Sequence, residues 1–514
     1  MNAKIKLSLL LVLAFAILAA GCSSGKEGGN PASSPSQAAS SSGHNENQGK
    51  ADLPPYEITM VYMANESEDQ QRVAEAMSKI TKEKINATVK LMPINAGAWS
   101  QQVNLMLASQ EKIDVIMTSS IYGFSTQATS GNLLSLDELL AKYGQGISDL
   151  MDKAYLGAGK VNGAQYAIPV NKDMATQGGI ILRKDLADKH GIDVSAIQSL
   201  DDLDAVFETI KKNEPSLLPV AIATPNTLSP VDMLSTSDQL VDGIGVLPGY
   251  DNGLKIENPY ERPEYAELLK KMREWYQKGY FSKDAATNTE PPAELVKAGR
   301  AFSFFNAMKV GSSESQTIRT GMPMIAIPLT KAYSTTSHVA NFMHSIPLGS
   351  KDPERAMMFM DLLYTDKELI NLLNWGIEGE HYVKKADDVI DYPEGVDIRS
   401  VKYTTNNQSF MFGNQFLNYV WPNQLPDIWE QTEQFNRSAE KSKALGFTFD
   451  TTPVKSEVGA VNNVKQQFKG GLESGTLDPD KVLPEFLDRL KQAGMDKIIA
   501  EKQRQLDAWA QTLQ

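Results

Sequence analysis

Between Tyr56 and Thr118 the hydrophobic period switches repeatedly, and this alternation constrains the fold more than any other stretch of the chain. Tyr56-Glu57-Ile58-Thr59-Met60-Val61-Tyr62 alternates and is rich in residues that suit a pleated surface, which predicts a strand. Residues 68–83 then carry apolar side chains at helical spacing. Residues 87–93 predict a second strand, 99–109 a second helix, and Ile113-Asp114-Val115-Ile116-Met117-Thr118 a buried third strand. This order is the signature of an α/β fold with a right-handed parallel unit, whose ligand crevice lies beyond the carboxyl ends of the strands. The residues expected at the crevice are Asn65 and Glu66 after the first strand, 96–99 with Trp99 after the second, and 119–124 with Tyr122 after the third.

Farther on, short strands are expected around 163–170 and 179–186, and helices over 200–212, 263–278 and 292–297. Asp201 and Asp202 stand near a helix start, where negative charge suits the dipole. Strand-type sequence returns at 301–305 and 324–328. A chain that leaves a sheet, builds a second body and comes back forms two lobes joined by hinge crossovers, and 514 residues are more than one core accommodates. The expected partition is 55–168 with 301–346 in lobe 1, and 169–300 with 347–514 in lobe 2, the ligand lying in the cleft between them. The amphipathic stretch 484–513 is expected to form two helices packed on the body, and Gly178-Gly179 and Gly470-Gly471 are expected in turns.

The first residues address the chain. Lys4 and Lys6 precede an apolar run from Leu7 to Ala20, and Ala19-Ala20-Gly21 leads to Cys22, the only cysteine. The run is shorter than the roughly 20 residues that span a bilayer and a small-residue cleavage site follows at once, so 1–21 reads as a secretory signal. The pattern resembles the lipobox of bacterial lipoproteins. That resemblance implies lipidation of Cys22 and attachment to the extracellular face of the cell membrane. Residues 22–54 are Ser-, Gly-, Asn- and Pro-rich and read as a flexible tether. A lone cysteine excludes an intramolecular disulfide. A formal charge of −13 argues against nucleic acid as a partner and against a polybasic membrane patch.

Several segments resemble the family 1 extracellular solute-binding proteins, the receptors of bacterial ABC importers. Tyr166-Ala167-Ile168-Pro169, followed by Ile180-Ile181-Leu182-Arg183-Lys184 and 185–191, is similar to their entry into the second lobe. Residues 352–357 through Asn371-Leu372-Leu373-Asn374-Trp375 and Gly376-Ile377-Glu378-Gly379-Glu380-His381-Tyr382 resemble the helix pair and turn of Gram-positive oligosaccharide-type lipoproteins. Leu445-Gly446-Phe447-Thr448-Phe449-Asp450, Pro453-Val454 and 501–509 resemble the DUF3502 region of a LipO-like subset, placed within 380–514. The resemblance implies a type II periplasmic-binding-protein-like fold, two lobes closing on a small solute with an oligosaccharide expected, delivery to a membrane ABC permease, a monomer, and no cofactor.

Sugars are held by flat aromatic faces with amide and carboxylate groups alongside. The expected ligand-binding residues are Asn65, Trp99, Tyr122, Asn171, Phe305, Trp375, Tyr382 and Trp421, with Phe124, Glu66, Lys172, Asp173 and Asn306 as further candidates. Ordinary packing of large rings is the competing explanation for each aromatic. His190, His338, His344 and His381 show no metal-ligand spacing. No Gly-x-Ser-x-Gly elbow supplies a nucleophile, and no metal or catalytic residue is expected. A surface glycoside hydrolase, which needs two carboxylates across a cleft, and a sensory binding protein for a membrane kinase are the alternatives.

Overall fold

The computed structural model describes residues 53–223, 229–405 and 409–512; the signal segment, Cys22 and the tether up to residue 52 lie outside the described residues. Strand β1 (Tyr56–Met63) is buried on both faces from Ile58 onward. It is buried because it lies between two parallel neighbours, β2 (Ala87–Ile94) and β3 (Val115–Thr118). Helix α1 (Gln70–Ile85) turns Val73, Ala74, Met77, Thr81 and Ile85 inward, a stripe spaced by three and four residues. Helix α2 (Trp99–Ala108) does the same with Trp99, Val103 and Leu107. The short β4 (Ile168–Pro169) then reaches the far edge of this first sheet.

After the crossover at 170–176 the chain builds a second sheet from β5 (Gln177–Arg183), β6 (Leu218–Ala221), β7 (Ala301–Met308) and β8 (Met324–Pro328), in the order β8-β5-β7-β6. Between these strands run α3 (Asp202–Asn213), α4 (Pro263–Gln277) and α5 (Ser312–Thr320). The Asp202 carboxylate accepts from the Gln198 and Ser199 amides just before α3, at 3.0 and 2.9 Å. The chain returns through β9 (Tyr333–Ser334), and β10 (Met343–Ser345) slots antiparallel between β3 and β4, giving the order β2-β1-β3-β10-β4. Helices α6 (Pro353–Thr365) and α7 (Lys367–Trp375) pack on the first core. Buried Arg355 donates to the Ile85 and Asn86 carbonyls at 2.7 and 3.1 Å, a cation at the carboxyl end of α1. Helix α8 (Ile428–Ser438) and β11 (Glu440–Lys441) lead back to the second lobe. There α9 (Lys455–Glu473), α10 (Pro479–Gln492) and α11 (Met495–Gln511) contribute Val461, Leu472, Phe486, Leu490, Met495 and Ile498 to its core. No helix among the described residues is long and apolar enough to cross a membrane.

The architecture is the expected two-lobed α/β one, but the expected partition needs correction. Residues 301–328 belong to lobe 2: β7 pairs antiparallel with β5 from Ser303 to Met308 and parallel with β6. Of the 301–346 stretch, the strand that joins lobe 1 is the three-residue β10. Conversely α6, α7, Tyr403, Met411 and Phe412 lie in the lobe 1 core, and Ala444 and Phe447 rejoin lobe 2 by packing on Leu240, Leu247 and Ile256. A hydrophobic period identifies a strand but not its partner, and here the partner decides. The paired glycines also sit inside elements. A Cβ on Gly178 would lie 1.7 Å from the Met233 carbonyl oxygen, and Gly470-Gly471 fall within α9.

The hinge is three segments wide. Thr176 and Tyr333 exchange backbone hydrogen bonds at 3.1 and 2.8 Å, and β9 runs parallel to β11. Asn436 fastens the crossovers side by side: its Oδ1 accepts from the Met174 amide at 2.8 Å and its Nδ2 donates to the Lys172 carbonyl at 2.7 Å. The Tyr155 hydroxyl reaches both the Asn436 carbonyl and the Ser334 hydroxyl, at 2.9 and 3.1 Å.

Candidate ligand-binding cleft

Two cavities, each of about 510 Å³, open between the lobes. Their walls approach each other at the crossover, where Asp173 faces one and Thr176 the other, and at the end of β7, where Lys309 and Ala307 divide in the same way.

The first cavity is aromatic. Trp375 at the end of α7, together with Tyr392, Phe410, Trp421 and Trp429, lines it from lobe 1 and the α8 approach, all of them partly exposed. Trp375 and Trp421 meet edge to face at 5.5 Å, and Tyr392 leans on Trp421 at 4.5 Å. Trp429 is fixed by its indole N–H, which donates to the Asn418 carbonyl at 2.7 Å. The Trp375 indole N–H is buried and has no acceptor among the described residues. Lobe 2 supplies the opposite wall from the start of α5: Lys309, Glu314, Ser315 and the exposed Ile318. Lys309 pairs with Asp173 at 3.2 Å. Burial works upward on the Asp173 carboxyl, but Lys172 and Lys309 outweigh it and hold the group below its ordinary range.

The second cavity is lined by hydroxyls and charge. Ser120 and Ile121 beyond β3 face Thr176, Ser235, Ser237 and Thr330. Tyr250 packs edge to face on Tyr333 at 4.9 Å, and Lys331 lies over the Tyr250 ring. Burial, with help from Lys172, lowers the His338 imidazole to about 4, so it is neutral at pH 7. The far wall carries Lys465 and Lys469 of α9. Lys469 bridges Asp232 and Glu473 at 2.5 and 2.9 Å. Burial and the nearby Asp232 push the Glu473 carboxyl up to about 7 against the pull of Lys469.

Of the eight residues expected at the site, Trp375 and Trp421 are brought together on one wall. Trp99 and Phe305 are corrected to core residues: Trp99 is 1% exposed under the first sheet, and Phe305 stacks on Trp275 in the second core. A residue beyond a strand end can point into the layer as readily as out of it, and Trp99 begins a helix whose inward stripe it joins. Tyr382 is buried with Tyr419 and Ile390 behind the aromatic wall. Asn171 belongs to the hinge, donating to Asn414 Oδ1 at 3.0 Å. Asn65 is exposed and accepts from Asn95 at 2.6 Å, and Tyr122 packs against the first core beside Ser120 and Ile121. Tyr392, Phe410 and Trp429 escaped the sequence reading because 383–428 has no regular period; the density of rings in 410–429 was the available signal. Asp69, Glu380 and His381 converge on one another, but Arg72 already bonds both carboxylates, at 3.1 and 2.5 Å, supplying the positive charge a cation would bring.

The model of the bacterial extracellular solute-binding protein family matches residues 64–369, more than half of the chain. The chain belongs to this family. A second match, to a domain of unknown function named DUF3502, covers residues 443–511, which form α9 to α11 and their approach. A Streptococcus pneumoniae protein described as a carbohydrate ABC transporter substrate-binding protein is 29% identical over 460 residues, 88% of this chain and 90% of the relative. The crystal structure of the N-glycan transport solute-binding protein NgtS from the same species is 26% identical and superposes with a TM-score of 0.79, covering 90% of this chain and all of that one. Its complexes with Man1GlcNAc and Man5GlcNAc superpose at 0.67 and 0.64. The two-lobed binding-protein fold is thus shared along nearly the whole described body, and an extracellular-side location follows from the family.

Proposed function

We propose that this protein is an extracellular receptor that captures an oligosaccharide in the aromatic cavity and presents it to an ABC permease, without making or breaking a bond in it. The observation that carries the reading is the wall of Trp375, Trp421 and Trp429 facing polar groups of the opposite lobe. Stacked rings cover the C–H faces of pyranoses, and the unpartnered Trp375 N–H is a donor awaiting a hydroxyl. The carbohydrate relatives in S. pneumoniae support a glycan as the solute. Ligand buried against both lobes binds the closed form better and draws the equilibrium toward it, and closure is what the permease reads. The molecule acts as a monomer held to the membrane through acylated Cys22.

Calorimetry with neutral oligosaccharides, beginning with Man5GlcNAc, tests the reading. A ligand at 100 times its Kd should add about 2.7 kcal/mol of stability. Scattering should show a smaller radius of gyration, and the glycan should be recovered intact. No binding across mannose-, glucose- and galactose-based oligosaccharides, or cleavage of the bound glycan, overturns it.

A further inference from the structure

The wall of the second cavity carries a lysine that has no ion-pair partner among the described residues. Lys465 on α9 lines it, partly buried, and its recorded hydrogen bond is a long one to the Asp242 carbonyl oxygen at 3.5 Å. No carboxylate among the described residues lies within salt-bridge distance of its ammonium, whereas its neighbours are committed. Lys469 holds Asp232 and Glu473, and Lys502 holds Asp242 at 2.5 Å. Lys465, Lys469 and Lys502 thus share the neighbourhood of Asp232, Asp242 and Glu473, and Lys465 is the one of these three lysines outside the ion pairs among the described residues. Burial, with the neighbouring Lys469, lowers the Lys465 ammonium against the pull of Asp242 and Asp232, which are themselves engaged by Lys502 and Lys469. Lys331 adds a second cation across the cavity.

We propose that this cavity is a subsite for a carboxylate-bearing sugar residue, with Lys465 of the DUF3502 region as the cation that receives the carboxylate. The inference rests on the receptor reading above and extends it, giving the C-terminal helices a part in ligand choice. The lining fits a sugar acid better than a bare inorganic anion. Hydroxyls of Ser235, Ser237, Thr330 and Ser337 are spread around the space to pair with ring hydroxyls, the Tyr250 ring offers an apolar face, and the volume of about 510 Å³ holds more than an ion. An ammonium paired with a carboxylate in a site partly withdrawn from water is bound more strongly than at an exposed surface.

Calorimetry with trigalacturonate and its fully methyl-esterified counterpart tests this, because the two differ in charge and little else. The wild-type protein should bind the acid at least tenfold more tightly than the ester. Lys465→Met should bring the two within twofold, Lys465→Arg should retain the preference, and both variants should bind a neutral glycan within twofold of wild type, which shows that they are folded. Equal affinity of wild type for acid and ester, or a preference that survives Lys465→Met, overturns the proposal. Failure of the acid to bind while neutral glycans do overturns this subsite and leaves the receptor reading standing; failure of every sugar overturns both.

Discussion

The two cavities are equal in size and opposite in construction. One wall of the first is built of large rings, Trp375, Tyr392, Phe410, Trp421 and Trp429, and buries little charge. The far wall of the second rests on a regular helix, α9, and concentrates lysines and carboxylates. On the proposed reading the two walls meet different demands: neutral sugar rings need area and orientation, an acidic substituent needs a fixed charge, and different parts of the chain supply them. The sharpest way to break the comparison is to remove the rings. Trp375→Ala with Trp421→Ala should lower affinity for a neutral glycan by about thirtyfold or more, about 2–4 kcal/mol, as for aromatic anchors elsewhere. Calorimetry on the folded double variant checks it, and an unchanged Kd removes the aromatic cavity from the site.

The next effect concerns the support of the second cavity. Gly178 in β5 lies so close to the Met233 carbonyl that a methyl group has no room, and the contact is with backbone, which cannot swing away. Gly178→Ala should therefore cost about 1–3 kcal/mol in denaturant unfolding. Loss of solute binding through the second cavity should accompany it, with neutral binding at the rings less affected. A variant as stable as wild type shows that the 229–234 segment is free to retreat.

How much of this was legible in the sequence divides along the same line. The β1–β3 unit could be read because its periods are clean and its partners are adjacent in the chain. The strands at 301 and 324 were recognised as strands, yet their sheet was not, because pairing with β5 depends on contacts more than a hundred residues away and leaves no local trace. The same limit applies to the cleft. Trp375 and Trp99 look alike as tryptophans at helix ends, but one ends α7 at the cavity and the other opens α2 in the core. Lys465 was invisible because its meaning lies in Asp232 and Asp242 being engaged by Lys469 and Lys502, which sequence does not record.

A pH experiment sharpens the contrast in charge. Glu473 is held as an acid in the folded protein, at about 7, against an ordinary value of 4.5. Between these values the folded state keeps a proton that the unfolded chain releases, so this group's contribution is present below pH 4.5 and lost as pH rises through 7. Glu473→Gln should flatten the decline of stability over that window, an effect of about 1–3 kcal/mol by the end of it. His338 works in the opposite sense, since burial lowers it to about 4 and stability falls as pH drops below 6.5. Urea unfolding of wild type and Glu473→Gln at successive pH values checks the assignment, and parallel curves reject it.

The smallest effect lies where the cavities meet. Lys309 is half exposed, so its pair with Asp173 is screened by water and contributes little to stability, within about 1 kcal/mol. Its position is nevertheless informative, because the pair joins the crossover to the end of β7 between the two spaces. Lys309→Met removes the link and leaves the aromatic wall of the first cavity and the lining of the second in place. Neutral glycan at the rings should bind within about threefold of wild type, less than 1 kcal/mol by the usual conversion. A glycan long enough to reach from one space to the other should respond more than a short one, because it has to pass the place where the two walls approach each other, beside this pair. Equal responses of a disaccharide and a decasaccharide would mean that the two spaces are occupied separately, and the contrast between them would then describe two ligands.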